Sequence, residues 1–148
     1  VAKKRKPIAS LDFSTYGRNK LKKNKDQVNR VIHFCNEKGV QMLHNKQRGG
    51  MYLKSIFFLP HNYKRALQLM YILWSDDFQG YYYTVATGLL LGYSLPDIRA
   101  YHRKNHDGLE ISSQEFKHIQ GILRTMDIKF EDLPKKYQYE HKLSIPLL

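Results

Sequence analysis

The chain has 148 residues and a mass of 17.6 kDa, the usual size of one domain and long enough to bury about two-thirds of its unfolded surface in one core. Twenty-five Lys and Arg against thirteen Asp and Glu leave a formal charge of +12, so the folded chain repels itself unless an anionic partner offsets the excess. Eleven Tyr, seven Phe and a hydrophobic fraction of 42% exclude a disordered composition, and no apolar run approaches the ~18 residues of a membrane-spanning helix.

A single cysteine, Cys35, allows no internal disulfide, and no secretory apolar run follows the first basic residues. Both features predict a reducing, intracellular compartment, nucleus or cytoplasm. The expected partner is nucleic acid, DNA or RNA, with protein partners as a second possibility and no membrane.

Residues 1–26 hold nine Lys and Arg (Lys3, Lys4, Arg5, Lys6, Arg18, Lys20, Lys22, Lys23 and Lys25) and two Asp. Like charge at this density, with few aliphatic residues and scattered Pro7, Ser10 and Gly17, predicts a basic extended arm over 1–25 that gains order only on a partner or on its own domain. The Lys3-Lys4-Arg5-Lys6 cluster also has the composition of a nuclear localisation signal. A single, mainly helical domain is expected over 26–148.

From Asp26, Val28, Val31, Ile32 and Cys35 recur at helical spacing and Gly39 is placed to end the helix. Residues 40–58 read as a small β-hairpin whose polar loop contains Lys46, Arg48 and two glycines, although a helical turn over 51–58 competes. After Pro60, His61 or Asn62 can cap a helix through Trp74 with Ala66, Leu67, Met70 and Leu73 on its apolar face. Ser75, Asp76 or Asp77 can cap the next helix, from about Phe78 to Leu91, closed by Gly92. Ser94 caps another that carries Pro96 in its first turn and runs to about Asn105. Ser112 and Glu115 form a capping box for a last helix through Met126, with Phe116, Ile119, Ile122 and Leu123 as its core stripe. The fold expected is mainly α: a compact bundle of about five helices, a possible hairpin and the basic arm.

The stretch 82–104 has the pattern of two helices joined by a short glycine turn, as in a helix-turn-helix. Gly88 is small where the second helix would cross the first, Gly92 relaxes the turn, and Leu91, Tyr93, Ile98 and Tyr101 are spaced to pin the second helix. Arg99, His102, Arg103 and Asn105 are then expected on or near its outer side, types suited to base edges, with Lys104 suited to phosphate. Ordinary packing of two core helices is the competing reading. Lys3, Lys4, Arg5, Lys6, Lys20, Lys22, Lys23, Lys46 and Arg48 complete the expected phosphate contacts.

His102 and His106 share a helix face and precede Asp107, a spacing able to ligate zinc, but the donor set of a zinc finger is missing. No metal or other cofactor is therefore expected. Tyr81, Tyr82, Tyr83, Tyr93 and Tyr101 could stack on single-stranded bases, although consecutive tyrosines on a helix cannot all share one face and packing is favoured. No nucleophile elbow, phosphate-binding glycine loop or paired catalytic carboxylates occur. The sequence thus predicts a non-catalytic nucleic-acid-binding protein. A structural or assembly protein of a viral particle or ribonucleoprotein is the alternative, and a metal-dependent nuclease built on His102, His106 and Asp107 a third.

Overall fold

Apolar and polar residues alternate from Ala9, and in the computed structural model this pattern, with Ile8 before it, becomes strand β1, Ile8–Ser14. The structure describes residues 6–14, 18–46, 52–75, 77–106, 108–133 and 139–141. Helix α1, Arg18–Lys38, follows, and then the antiparallel strands β2, Gln41–Lys46, and β3, Tyr52–Phe58. These two form the expected hairpin, whose loop lies outside the described residues together with Arg48.

The hairpin is the middle of a larger sheet. Strand β1 pairs antiparallel with β3, from Ile8 opposite Phe58 to Ser14 opposite Tyr52. Strand β4, Tyr139–His141, pairs with β2 on the other side, so the order is β1-β3-β2-β4. The N-terminal segment was expected to order on a partner or on its own domain, and Ile8–Ser14 does the latter as an edge strand. Helix α1 starts at Arg18, well before the Asp26 expected from the apolar pattern. Arg, Lys and Leu are good helix formers, and residues 18–38 contain neither Gly nor Pro to stop propagation.

The two-residue period of β3 sorts its side chains onto two faces. Ile56 and Phe58 join Ile8 and Leu43 in the main core, while Phe57 and Met42 meet Ile32, Cys35 and Val40 on the opposite side. Helix α1 therefore covers one face of the sheet, through a stripe at three- and four-residue spacing, and helix α2, Tyr63–Trp74, covers the other. Gly39, at φ +68°, ends α1 where the Val40 N–H donates to the Cys35 carbonyl at 2.9 Å. Burial pushes the Cys35 thiol up to about 11, which leaves it a packing residue.

Helix α2, Tyr63–Trp74, is buried on most sides: Ala66, Leu67, Leu69, Met70 and Ile72 are all in the core. Helices α3, Gly80–Leu90, α4, Leu95–Asn105, and α5, Ser113–Thr125, pack beyond it. The molecule is thus mainly helical, with five α-helices among the described residues around a small antiparallel sheet. No described helix is long and apolar enough to cross a membrane.

Helix ends show where local signals succeeded. Ser94 caps α4 by accepting from the Asp97 N–H at 3.2 Å, and Ser112 with Glu115 forms the capping box of α5, at 3.0 and 3.1 Å. Two expected caps do other work. Asn62 precedes α2 but makes no cap bond with its side chain, donating its amide to the Pro7 carbonyl at 3.0 Å instead. Helix α3 begins only at Gly80, because Asp77 accepts from the Tyr71 hydroxyl at 2.7 Å while its N–H donates to Ser75 Oγ at 3.1 Å. That local bonding competes with a helical start.

Candidate nucleic-acid interface

Helices α3 and α4 lie where the sequence places them, joined by a turn over 91–94. Leu91, Gly92 and Tyr93 donate their N–H groups to the carbonyls of Thr87, Leu89 and Gly88 at 2.9, 3.1 and 3.0 Å, and Gly92 takes φ +79°. These bonds satisfy the last carbonyls of α3, as a glycine C-terminal motif does. The crossing is tight at Gly88: a Cβ there would fall 2.7 Å from Ile98 Cγ1.

The same turn receives the N-terminal segment. A Cβ at Gly92 would lie 2.6 Å from Pro7 Cδ, the Pro7 carbonyl is held by Asn62, and the Lys6 ammonium stands 3.5 Å from the centroid of the Tyr93 ring. A cation over an aromatic face is attracted by the ring quadrupole. The described chain thus begins against the α3–α4 turn, directly after the Lys3-Lys4-Arg5 cluster, which itself lies outside the described residues.

Helical geometry redistributes the residues expected on the outer side of α4. Ile98 and His102 are buried and Leu95 and Arg99 are half-buried, so this side of the helix faces the core and α5. Arg99 donates to Ser113 Oγ at 3.1 Å and its guanidinium stands 5.0 Å from the Phe116 ring centroid. His102 is only 4% exposed. Neither presents its polar head to a groove: His102 lies four residues after Ile98 on the same side of the helix, and Arg99 lies four after half-buried Leu95 and is drawn to Ser113 and Phe116 of α5.

Arg103, Lys104 and Asn105 are exposed as expected. Arg103 pairs with Glu110 at 3.3 Å, a surface contact worth little, and the Asn105 amide donates to the Tyr101 carbonyl at 2.8 Å. Lys20, Lys22 and Lys23 lie in α1 and Lys46 ends β2, so the basic residues fall on separate elements.

His102 and His106 stack, with centroids 4.4 Å apart and planes at 23°, and Tyr81 meets His102 edge-on at 6.5 Å. Asp107 lies outside the described residues, and among those described no group of three His, Cys, Asp or Glu is placed to hold a metal ion. Buried His102 Nδ1 has no hydrogen-bond partner among the described residues. Comparison with known proteins gives no match. No family model, no curated protein and no solved structure resembles the chain.

Burial holds the His102 imidazole below its ordinary pKa. The neighbouring His106 acts in the same direction, and Glu115 and Glu110 oppose them. A histidine kept neutral in the fold takes up its proton more readily when unfolded, so acid favours the unfolded chain. The stabilisation is complete above about pH 6.5, where both states are neutral, and falls as pH drops through the lowered folded value. Thermal melts between neutral pH and mild acid should therefore show Tm falling, and His102→Gln should flatten that slope. An unchanged slope in the variant would assign the acid sensitivity to other groups.

Proposed function

We propose that the protein binds nucleic acid without catalysis, through one composite surface made of the N-terminal basic segment, the α3–α4 turn and the exposed side of α4. The observation that carries this reading is the seat of Lys6 on Tyr93 and of Pro7 on Gly92. The basic cluster and the helix pair were separate candidates in the sequence, and these contacts join Lys6, the described member of that cluster, to the helix pair. Lys6 is held at that surface by Tyr93, and its ammonium offers phosphate a direct charge contact. The exposed Arg103 and Lys104 continue it along α4.

Phosphate contacts release counterions, so affinity should fall linearly with salt on logarithmic axes. Fluorescence anisotropy with labelled nucleic acid across a salt series tests this, using heparin as a competitor. Lys6→Ala and Lys104→Ala should each lower the slope by about one unit for a single lost phosphate contact. No binding at low salt, or a slope that neither change alters, would overturn the proposal.

A further inference from the structure

Beside the α3–α4 turn lies a cleft of about 730 Å³, bounded by β1, α2, α3 and α4. Its size is within the ~300–1,000 Å³ of small-ligand sites. Leu69 and Leu73 of α2 form an apolar part of its wall, while Tyr83 of α3, Tyr93 of the turn and Tyr101 of α4 contribute three aromatic rings. Asp97 supplies a carboxylate. Tyr93 is 49% exposed and Tyr101 60%, among the most exposed large hydrophobic residues described.

We infer that this cleft receives unpaired bases of a single-stranded nucleic acid, the bases stacking on Tyr101 and on the face of Tyr93 turned away from Lys6, while Lys6 and Lys104 take the flanking phosphates. The inference rests on the nucleic-acid reading above and adds the form of the ligand. Charge selects the occupant: a chain of +12 with Lys6 already seated on Tyr93 at 3.5 Å favours a polyanion that also offers flat apolar faces. Single strands do both, and base–aromatic stacking tolerates any sequence because every base has a π-face.

Duplex DNA fits this side of α4 less well. Its first turn carries Asp97, whose carboxylate would repel a phosphate backbone laid on the helix start, and Arg99 is occupied at Ser113. A paired, stacked base also presents no free face to a tyrosine. In the cleft, by contrast, Asp97 has a use. One of its oxygens accepts from the Ser94 hydroxyl at 2.7 Å, and an ionised carboxylate has further acceptor sites for an exocyclic amine such as cytosine N4. Thymine and uracil offer no such amine, so cytosine strands should bind more tightly than thymine or uracil strands.

The test measures binding of the full chain to oligo-dC, oligo-dT, oligo-rC, oligo-rU, a duplex of matched length and heparin at low salt. Tyr93→Ala and Tyr101→Ala should each weaken single-strand binding about tenfold or more, with Phe at either position restoring it. Heparin and duplex binding should be unchanged, because attraction to sulfate or phosphate charge does not need the rings. Asp97→Asn should narrow the difference between oligo-dC and oligo-dT, and the DNA and RNA arms tell which sugar is preferred. Equal binding of single strand and duplex, with both alanine variants like the parent, would overturn the cleft assignment and leave the nucleic-acid reading standing. Absence of binding to every polyanion would remove both. Since both rings are largely exposed, unchanged thermal melts in the variants would establish that the effect is not loss of fold.

Discussion

Gly88→Val should destabilise the fold by about 2–3 kcal/mol, the cost of forcing extra atoms into a filled space. Helix propensity alone predicts the opposite tendency, since glycine inside a helix costs roughly 1 kcal/mol relative to alanine. Contact decides the sign. A Cβ at Gly88 would meet Ile98 Cγ1 at 2.7 Å and Cδ1 at 2.9 Å, and Ile98 is itself buried in the core. The two helices would have to separate, and Tm should fall by roughly 2–4 °C per kcal/mol for a chain of this size. Ile98→Ala removes the obstructing atoms, so in that background Gly88→Val should cost much less. A double-mutant cycle reads the coupling directly. Strictly additive losses would show that the helix pair is not held by this contact.

Gln68→Leu should be at least as severe, about 2–4 kcal/mol. Gln68 is 5% exposed and its amide donates to the Leu123 carbonyl at 2.6 Å and the Met126 carbonyl at 2.8 Å. Residues at the end of a helix have carbonyls with no intrahelical donor, and here a side chain of α2 serves two of them at the end of α5. Leucine keeps the volume and removes both donors, leaving buried acceptors at about 1–3 kcal/mol each. Denaturant melts measure the loss, and amide exchange should quicken in the last turn of α5. A loss below about 0.5 kcal/mol would mean that water satisfies those carbonyls unaided.

The helical part of the fold was legible because its signals are local. Ser94 with Pro96, and Ser112 with Glu115, act within one helical turn, and the structure starts α4 and α5 at those caps. Gly88 was singled out where the second helix crosses the first and Gly92 to relax the turn, and the close approach of Ile98 and the φ of +79° at Gly92 bear these out. Strands β1 and β4 escaped notice because a strand is decided by its partner. Ala9–Ser14 has an alternating pattern, but only pairing with Tyr52–Phe58 makes Ile8–Ser14 an edge strand, and the adjacent charge obscured it.

Side-chain direction on α4 was partly misread for a related reason. Apolar spacing identified Ile98 as buried, yet Arg99 and His102 were still expected on the outer side, although a 3.6-residue period carries His102 to the side of Ile98 and Arg99 to that of Leu95. The chemical attraction of Arg and His for base edges outweighed their position. Tyr93 and Tyr101 were visible as candidates for stacking, but their union in one cleft with Lys6 alongside depends on contacts between residues distant in sequence. Spacing along one helix cannot reveal such a contact.

Amide hydrogen exchange with and without a single-stranded oligonucleotide tests the central claim most directly, since it maps the contact surface without altering a residue. The account predicts new protection at Lys6, through the turn over 91–94 and along α4, with α1 and the end of α5 unchanged. Protection confined to α1 or to the sheet, with the α3–α4 turn exchanging as in the free protein, would contradict it.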